Sequence, residues 1–110
     1  MIFTSQQFTS LLKKVNETSF HNELPSDING GDCYNWAMVI KSLRPEVKLF
    51  FLRGHAFIHF IGKFYDAEII KGVQHWSSLP SMKGVPKYLE IEEQSIEVFC
   101  EAPRPKGRGF

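Results

Sequence analysis

Cysteine is scarce in this chain: Cys33 and Cys100 are the only two in 110 residues, too few for a disulfide framework. Neither sign of charge prevails. Thirteen lysines and arginines stand against twelve aspartates and glutamates, a formal net charge of +1. That balance gives no electrostatic basis for binding nucleic acid or an anionic membrane surface. No run approaches the roughly 20 apolar residues that a spanning helix needs. Met1-Ile2-Phe3-Thr4-Ser5-Gln6 lacks the basic and apolar regions of a signal peptide. Internal repeats are absent. The expectation is a cytoplasmic protein with no membrane and no nucleic-acid partner, in which an isolated cysteine has to be weighed as a nucleophile.

Aromatic residues, by contrast, are plentiful, with ten Phe, three Tyr and two Trp. Large rings bury much apolar area per side chain, so one small core is within reach of a chain of this length. A single domain over residues 1–101 is expected, followed by a flexible basic tail over 102–110 (Ala102-Pro103-Arg104-Pro105-Lys106-Gly107-Arg108-Gly109-Phe110) with little to bury.

Thr4-Ser5-Gln6-Gln7 has the form of a capping box. Behind it Phe8, Leu11, Leu12 and Val15 recur at helical spacing, which predicts a helix from about Ser5 to Glu17. Residues 22–31 are rich in Asn, Asp, Pro, Ser and Gly and read as a loop. Asp32 is placed to cap a second helix, Cys33 to Leu43, with Trp36, Ala37, Ile40 and Leu43 on its apolar face and Pro45 beyond its end. Two strand-like runs follow, Val47–Arg53 and His55–Ile61, parted by Gly54; Phe64-Tyr65-Asp66-Ala67 then closes a hairpin with the second. Gly-X chemistry favours Gly62-Lys63 as the two-residue turn, since Ile61 disfavours positive φ. That turn would set Asp66 across from His59. A turn at Ile61-Gly62 would set it opposite Phe57, diagonal to both His55 and His59. The stretch from Ile69 to Val85 reads as irregular and anchored by Trp76 and Leu79, and Ser95–Cys100 as a closing strand. Helices first and sheet afterwards is the order of an α+β domain, here N-terminal helices on a small antiparallel sheet.

Chemistry concentrates in the middle. Gly30-Gly31-Asp32-Cys33 puts a thiol at the start of a helix behind glycines. Such a position favours a thiolate and leaves backbone N–H groups for a developing oxyanion. Gly54-His55-Ala56-Phe57-Ile58-His59 offers two imidazoles on one strand face, and Asp66 supplies a carboxylate to orient a base. Helix-borne Cys33, then Gly54-His55-Ala56, then Gly62-Lys63-Phe64-Tyr65-Asp66 resembles the transglutaminase-like and papain-like cysteine enzymes. Gly54 to Glu68 is also similar to small bacteriophage-encoded proteins. The resemblance implies a transglutaminase-like core and a catalytic triad of Cys33, His55 and Asp66, with His59 as alternative base or substrate contact. It implies Gly31, Asp32, Tyr34 and Gly54 as substrate contacts, no cofactor and no metal, and a protein or peptide amide as substrate. A phage origin would make the host cytoplasm the compartment and a host protein the partner.

Plainer roles stand beside these. Cys33 alone is a small buried hydrophobe in most folds, Asp66 can bond the hairpin backbone, Trp36 and Cys100 read as core, and His21 and His75 lie in loops. Three functions compete: a hydrolase, deamidase or transamidase working through a thioester at Cys33; a non-catalytic module that binds and inhibits a host protein; and a zinc site from Cys33, His55, His59 and Asp66, whose spacing matches no metal motif.

Overall fold

Thr4 begins the first helix as its sequence demands. Its hydroxyl accepts from the Gln7 N–H (3.1 Å) while the Gln7 side chain accepts from the Thr4 N–H (2.8 Å), so two of the helix's orphan donors are satisfied. This capping box starts α1 (Ser5–Thr18) in the computed structural model, which describes residues 3–94. The expected strand at Ser95–Cys100, Cys100 itself and the basic tail lie outside the described residues. α1 buries Phe8, Leu12 and Val15, the three-and-four spacing of one helical face. Phe8 stacks at 4.2 Å on Phe60 and meets Tyr65 edge-on at 4.9 Å, which fastens the helix to the sheet.

The expected loop before Cys33 is only partly a loop. Pro25 opens a single turn, α2 (Pro25–Asp27), which passes into a π-helical turn (Ile28–Asp32) and on into α3 (Cys33–Leu43). Ile28 and Gly31 are buried in that turn, and burial of these two positions holds the chain in a wide helical path despite its glycines. Asp32 does take the cap position of α3, but with a nearly helical backbone (φ −109°, ψ 15°) and no capping bond from its side chain. A cap that works through its side chain needs an extended backbone, which a residue already inside a helical path lacks. Cys33 therefore lies within a helical run and not at a bare helix start.

The sheet is antiparallel and ordered β1–β2–β3: Lys48–Leu52, His55–Phe60 and Lys63–Tyr65. Val47, Leu49, Ala56, Ile58, Phe60 and Tyr65 face α1 and α3 in one cluster. On the other face Phe50 and Phe57 meet Trp76, Leu79 and Met82. Trp76 and Leu79 thus anchor the irregular segment, which turns at Trp76–Ser78 and Pro80–Met82. With a layer on each side the strands are buried on both faces, which explains their nearly continuous apolar sequence.

Both hairpins turn on two residues with positive φ, Arg53 (53°) with Gly54 (81°) and Ile61 (44°) with Gly62 (75°), the signature of a type I′ turn. The second corrects the expectation of a Gly62-Lys63 turn: Phe60 pairs with Lys63 and Ile58 with Tyr65. Continued by one pair, this register sets Asp66 opposite Phe57. Ile61 bears the cost, a β-branched residue in the left-handed region at about 1–2 kcal/mol, with its side chain 53% exposed. Ile61→Asn replaces that strain with Asn-Gly, the preferred pair for this turn. Thermal unfolding of this variant should show a gain on the order of 1 kcal/mol, or roughly 4–8 °C in Tm. A lower Tm would mean that the isoleucine side chain contributes more than its backbone costs.

Candidate active site

Three elements converge at the start of β2. α3 supplies Cys33, β2 begins at His55, and Asp66 follows directly after β3. The type I′ register at Ile61-Gly62 makes Asp66 diagonal to His55 across the strand pair, and the side chains meet: His55 Nε2 donates to Asp66 Oδ2 at 3.1 Å. The other carboxylate oxygen, Oδ1, accepts from the N–H groups of Glu68 (3.0 Å) and Ile69 (2.9 Å). Asp66 thus bonds both an imidazole and the backbone of its own turn.

Cys33 Sγ accepts from the Ala56 N–H at 3.4 Å and sits 4.0 Å from the Gly54 carbonyl. The sulfur is wedged beside the Arg53-Gly54 turn, with Ala56 small enough to let α3 come close. Burial is severe: Cys33 and Asp66 are 0% exposed and His55 is 5% exposed.

Burial is the largest single influence on His55 and acts to lower its pKa. The hydrogen bond to Asp66, the interaction with the Cys33 sulfur and the charges of both outweigh it and raise the value from 6.5 to about 9. Because Asp66 occupies Nε2, Nδ1 is the ring nitrogen left over; it is buried and closes no hydrogen bond. For Asp66, burial likewise acts upward first, but the bonds from His55, Asn29 and the Ile69 N–H and the His55 charge hold its carboxyl below 3.8. The pair is therefore an imidazolium and a carboxylate at neutral pH.

The remaining expected residues are scattered around this centre. His59 is half-buried between Phe50 and Phe64 (ring centroids 6.4 and 4.7 Å); desolvation and the Lys48 charge lower its pKa. Tyr34 is buried against Phe51 at 5.2 Å. Gly31 is buried in the π-turn, Asp32 accepts from the Asn35 amide at 3.5 Å, and Gly54 is exposed at its turn. Among the described residues no group of three or more His, Cys, Asp and Glu is placed to hold a metal ion, which leaves the zinc alternative without a ligand set. Nor is any helix among them long and apolar enough to cross a membrane. A cavity of about 330 Å³ lies behind Asp66, lined by Asn16, Glu17, Ala67 and Glu68 among others, and Cys33 is not in its wall.

Two asparagines matter here that linear pattern did not single out. Asn16 of α1 accepts from Trp36 Nε1 (2.7 Å) and donates to the Ala67 carbonyl (3.0 Å). Asn29 of the π-turn accepts from the Ala67 N–H (3.3 Å) and donates to Glu68 Oε1 (2.8 Å). The available signals were weak: a polar residue beside the apolar stripe of α1, and one more Asn in a polar segment.

The pair's pH dependence has a definite sign. His55 is raised from 6.5 to about 9, so its contribution to stability is full below about pH 6.5 and is lost as the pH rises through 9. Asp66, lowered from 3.8, contributes above that value and loses its share as the pH falls below it. Urea denaturation between pH 5.5 and pH 9.5 should therefore cost the wild type roughly 1–3 kcal/mol more than it costs His55→Gln. Equal losses would show that the imidazole does not gain a proton on folding.

No protein-family model, curated protein or solved structure matches this chain, so its chemistry rests on the geometry of Cys33, His55 and Asp66 alone.

Proposed function

We propose that this chain is a cysteine-dependent acyl-transfer enzyme on a transglutaminase-like or papain-like core, acting on a protein or peptide amide. The observation that carries the reading is the buried Nε2–Oδ2 bond of His55 and Asp66 at 3.1 Å, which fixes the ring and leaves Nδ1 to the Cys33 sulfur. A protonated imidazole is the counter-ion a thiolate needs, and the Ala56 N–H at 3.4 Å is a second donor to the same atom.

In the proposed sequence Cys33 starts as a thiolate paired with the His55 imidazolium, its proton already on the ring, and the sulfur attacks the substrate carbonyl carbon. The tetrahedral intermediate collapses, the C–N bond breaks, and His55 returns the proton to the departing amine. A thioester on Cys33 remains. Water or an amine then attacks that carbonyl and gives its proton to His55, and the sulfur leaves. Asp66 holds the tautomer and stabilises the imidazolium throughout. Hydrolysis, deamidation and transamidation share this path and differ only in the acceptor. With Cys33 fully buried, a carbonyl reaches the sulfur only after a local opening. The Arg53-Gly54 turn is the solvent-exposed element beside the sulfur, and its displacement would provide the route.

That same burial favours a second reading, a binding module in which Cys33, His55 and Asp66 staple the core and a host protein is the partner. The two separate on one substitution. Hydrolysis of an activated p-nitrophenyl ester should fall by about 10²–10⁴-fold in Cys33→Ala and in His55→Ala, and the wild type should carry an acyl adduct of Cys33 visible by intact-mass spectrometry. Ester turnover unaffected by Cys33→Ala, with no adduct formed, would leave the binding module standing.

A further inference from the structure

The two backbone groups of Ala67, the residue directly after Asp66, are both held by asparagine side chains from other elements. Asn16 of α1 donates to its carbonyl at 3.0 Å, and Asn29 of the π-turn accepts from its N–H at 3.3 Å. Ala67 is itself 1% exposed, so an unmade bond to either group would leave a buried polar atom unpaired at a cost of about 1–3 kcal/mol. The peptide that carries Asp66 is thus gripped from both sides.

Asn29 does more than grip. Its amide donates to Glu68 Oε1 at 2.8 Å, so the side chain spans the two residues that follow Asp66. It is also four residues before Cys33, on the same helical path. One side chain therefore ties the turn that presents the sulfur to the loop that presents the carboxylate. From this juxtaposition we infer that Asn29 is a positioning residue, which aims the Asp66 carboxylate at His55 and keeps it in register with Cys33.

The carboxylate has two oxygens and three hydrogen-bond partners to serve, one charged and two backbone. With Oδ1 on the Glu68 and Ile69 N–H groups and Oδ2 on His55, a modest rotation would exchange the His55 bond for one to the backbone alone. The Asn29 hold on the Ala67 N–H and on Glu68 opposes this movement from outside the 66–69 turn. The groups that face the imidazole are Asp66 from the loop after β3 and Cys33 from α3. A loosened Asp66 is therefore reported directly by His55.

The inference rests on the proposed Cys33–His55–Asp66 relay, and one titration tests both separately. Histidine ring resonances, followed by NMR from pH 5 to 10.5, give the His55 midpoint without any substrate. The expected wild-type midpoint is near 9, and Asn29→Ala should lower it by about one pH unit. Asn29→Ser shortens the side chain by one atom, out of reach of both the Ala67 N–H and Glu68, and keeps a polar group at the turn; it should lower the midpoint too, and it serves where the alanine variant does not fold. Met82→Ala, a change in the separate cluster on the other face of the sheet, should reduce Tm and leave the midpoint unmoved. A wild-type midpoint near 9 that neither Asn29 variant shifts would overturn the positioning role and leave the relay intact. A wild-type midpoint near 6.5 would overturn the relay itself, and the positioning role with it.

Discussion

A charged imidazole locked to a carboxylate in the interior is the constraint around which the rest of this molecule is arranged. Two buried charges gain little net stability from each other, because desolvation consumes most of their attraction. What such a pair enforces is geometry: each group must meet the other, and every lone pair left over must find a donor. Here Asp66 receives the ring on one oxygen and two backbone N–H groups on the other. The turn after β3, the start of β2 and the sulfur-bearing end of α3 are all fixed by that single requirement.

The hairpin between β2 and β3 shows what the requirement costs. A turn moved by one residue to Gly62-Lys63 would relieve Ile61 and shift every cross-strand partner by two positions. Tyr65 would then face Phe60, and Asp66 would face His59, far along the strand from Cys33. Strain at one exposed isoleucine and contact between His55 and Asp66 are therefore two aspects of one register. Backbone strain of this kind persists only where the surroundings over-determine it, and the surroundings here are the helix-facing cluster and the buried pair.

Sequence pattern was a good guide to the elements and a poorer one to what joins them. α1 and α3 were legible from their 3.6-residue period and their boundaries, because the Thr4–Gln7 box and the Cys33–Leu43 stripe act locally. The Cys33, His55 and Asp66 side chains were legible as residue types in order, and the structure brings them together. The π-turn was not, because Asn-Gly-Gly prefers a loop locally and is held helical only by burial of Ile28 and Gly31. Ile61 misled for a similar reason, tertiary register overriding local turn chemistry. The asparagines escaped notice because their partner is a backbone amide 51 residues away for Asn16 and 38 for Asn29, and a bond to backbone leaves no trace in the identity of its partner.

The π-turn ahead of Cys33 can also be viewed as a count. A π-helical turn holds one residue more than the α-helical turn it replaces, and each residue of an α-helix advances the chain by about 100° around the axis. Removing a single glycine from Gly30-Gly31 would let the path close into an unbroken α-helix. The residues on either side would keep nearly their present phase around the axis, because the wider turn spreads about the same rotation over one more residue. The π-turn is thus where the chain absorbs one extra residue while Asn29 and Cys33 stay on one continuous helical path.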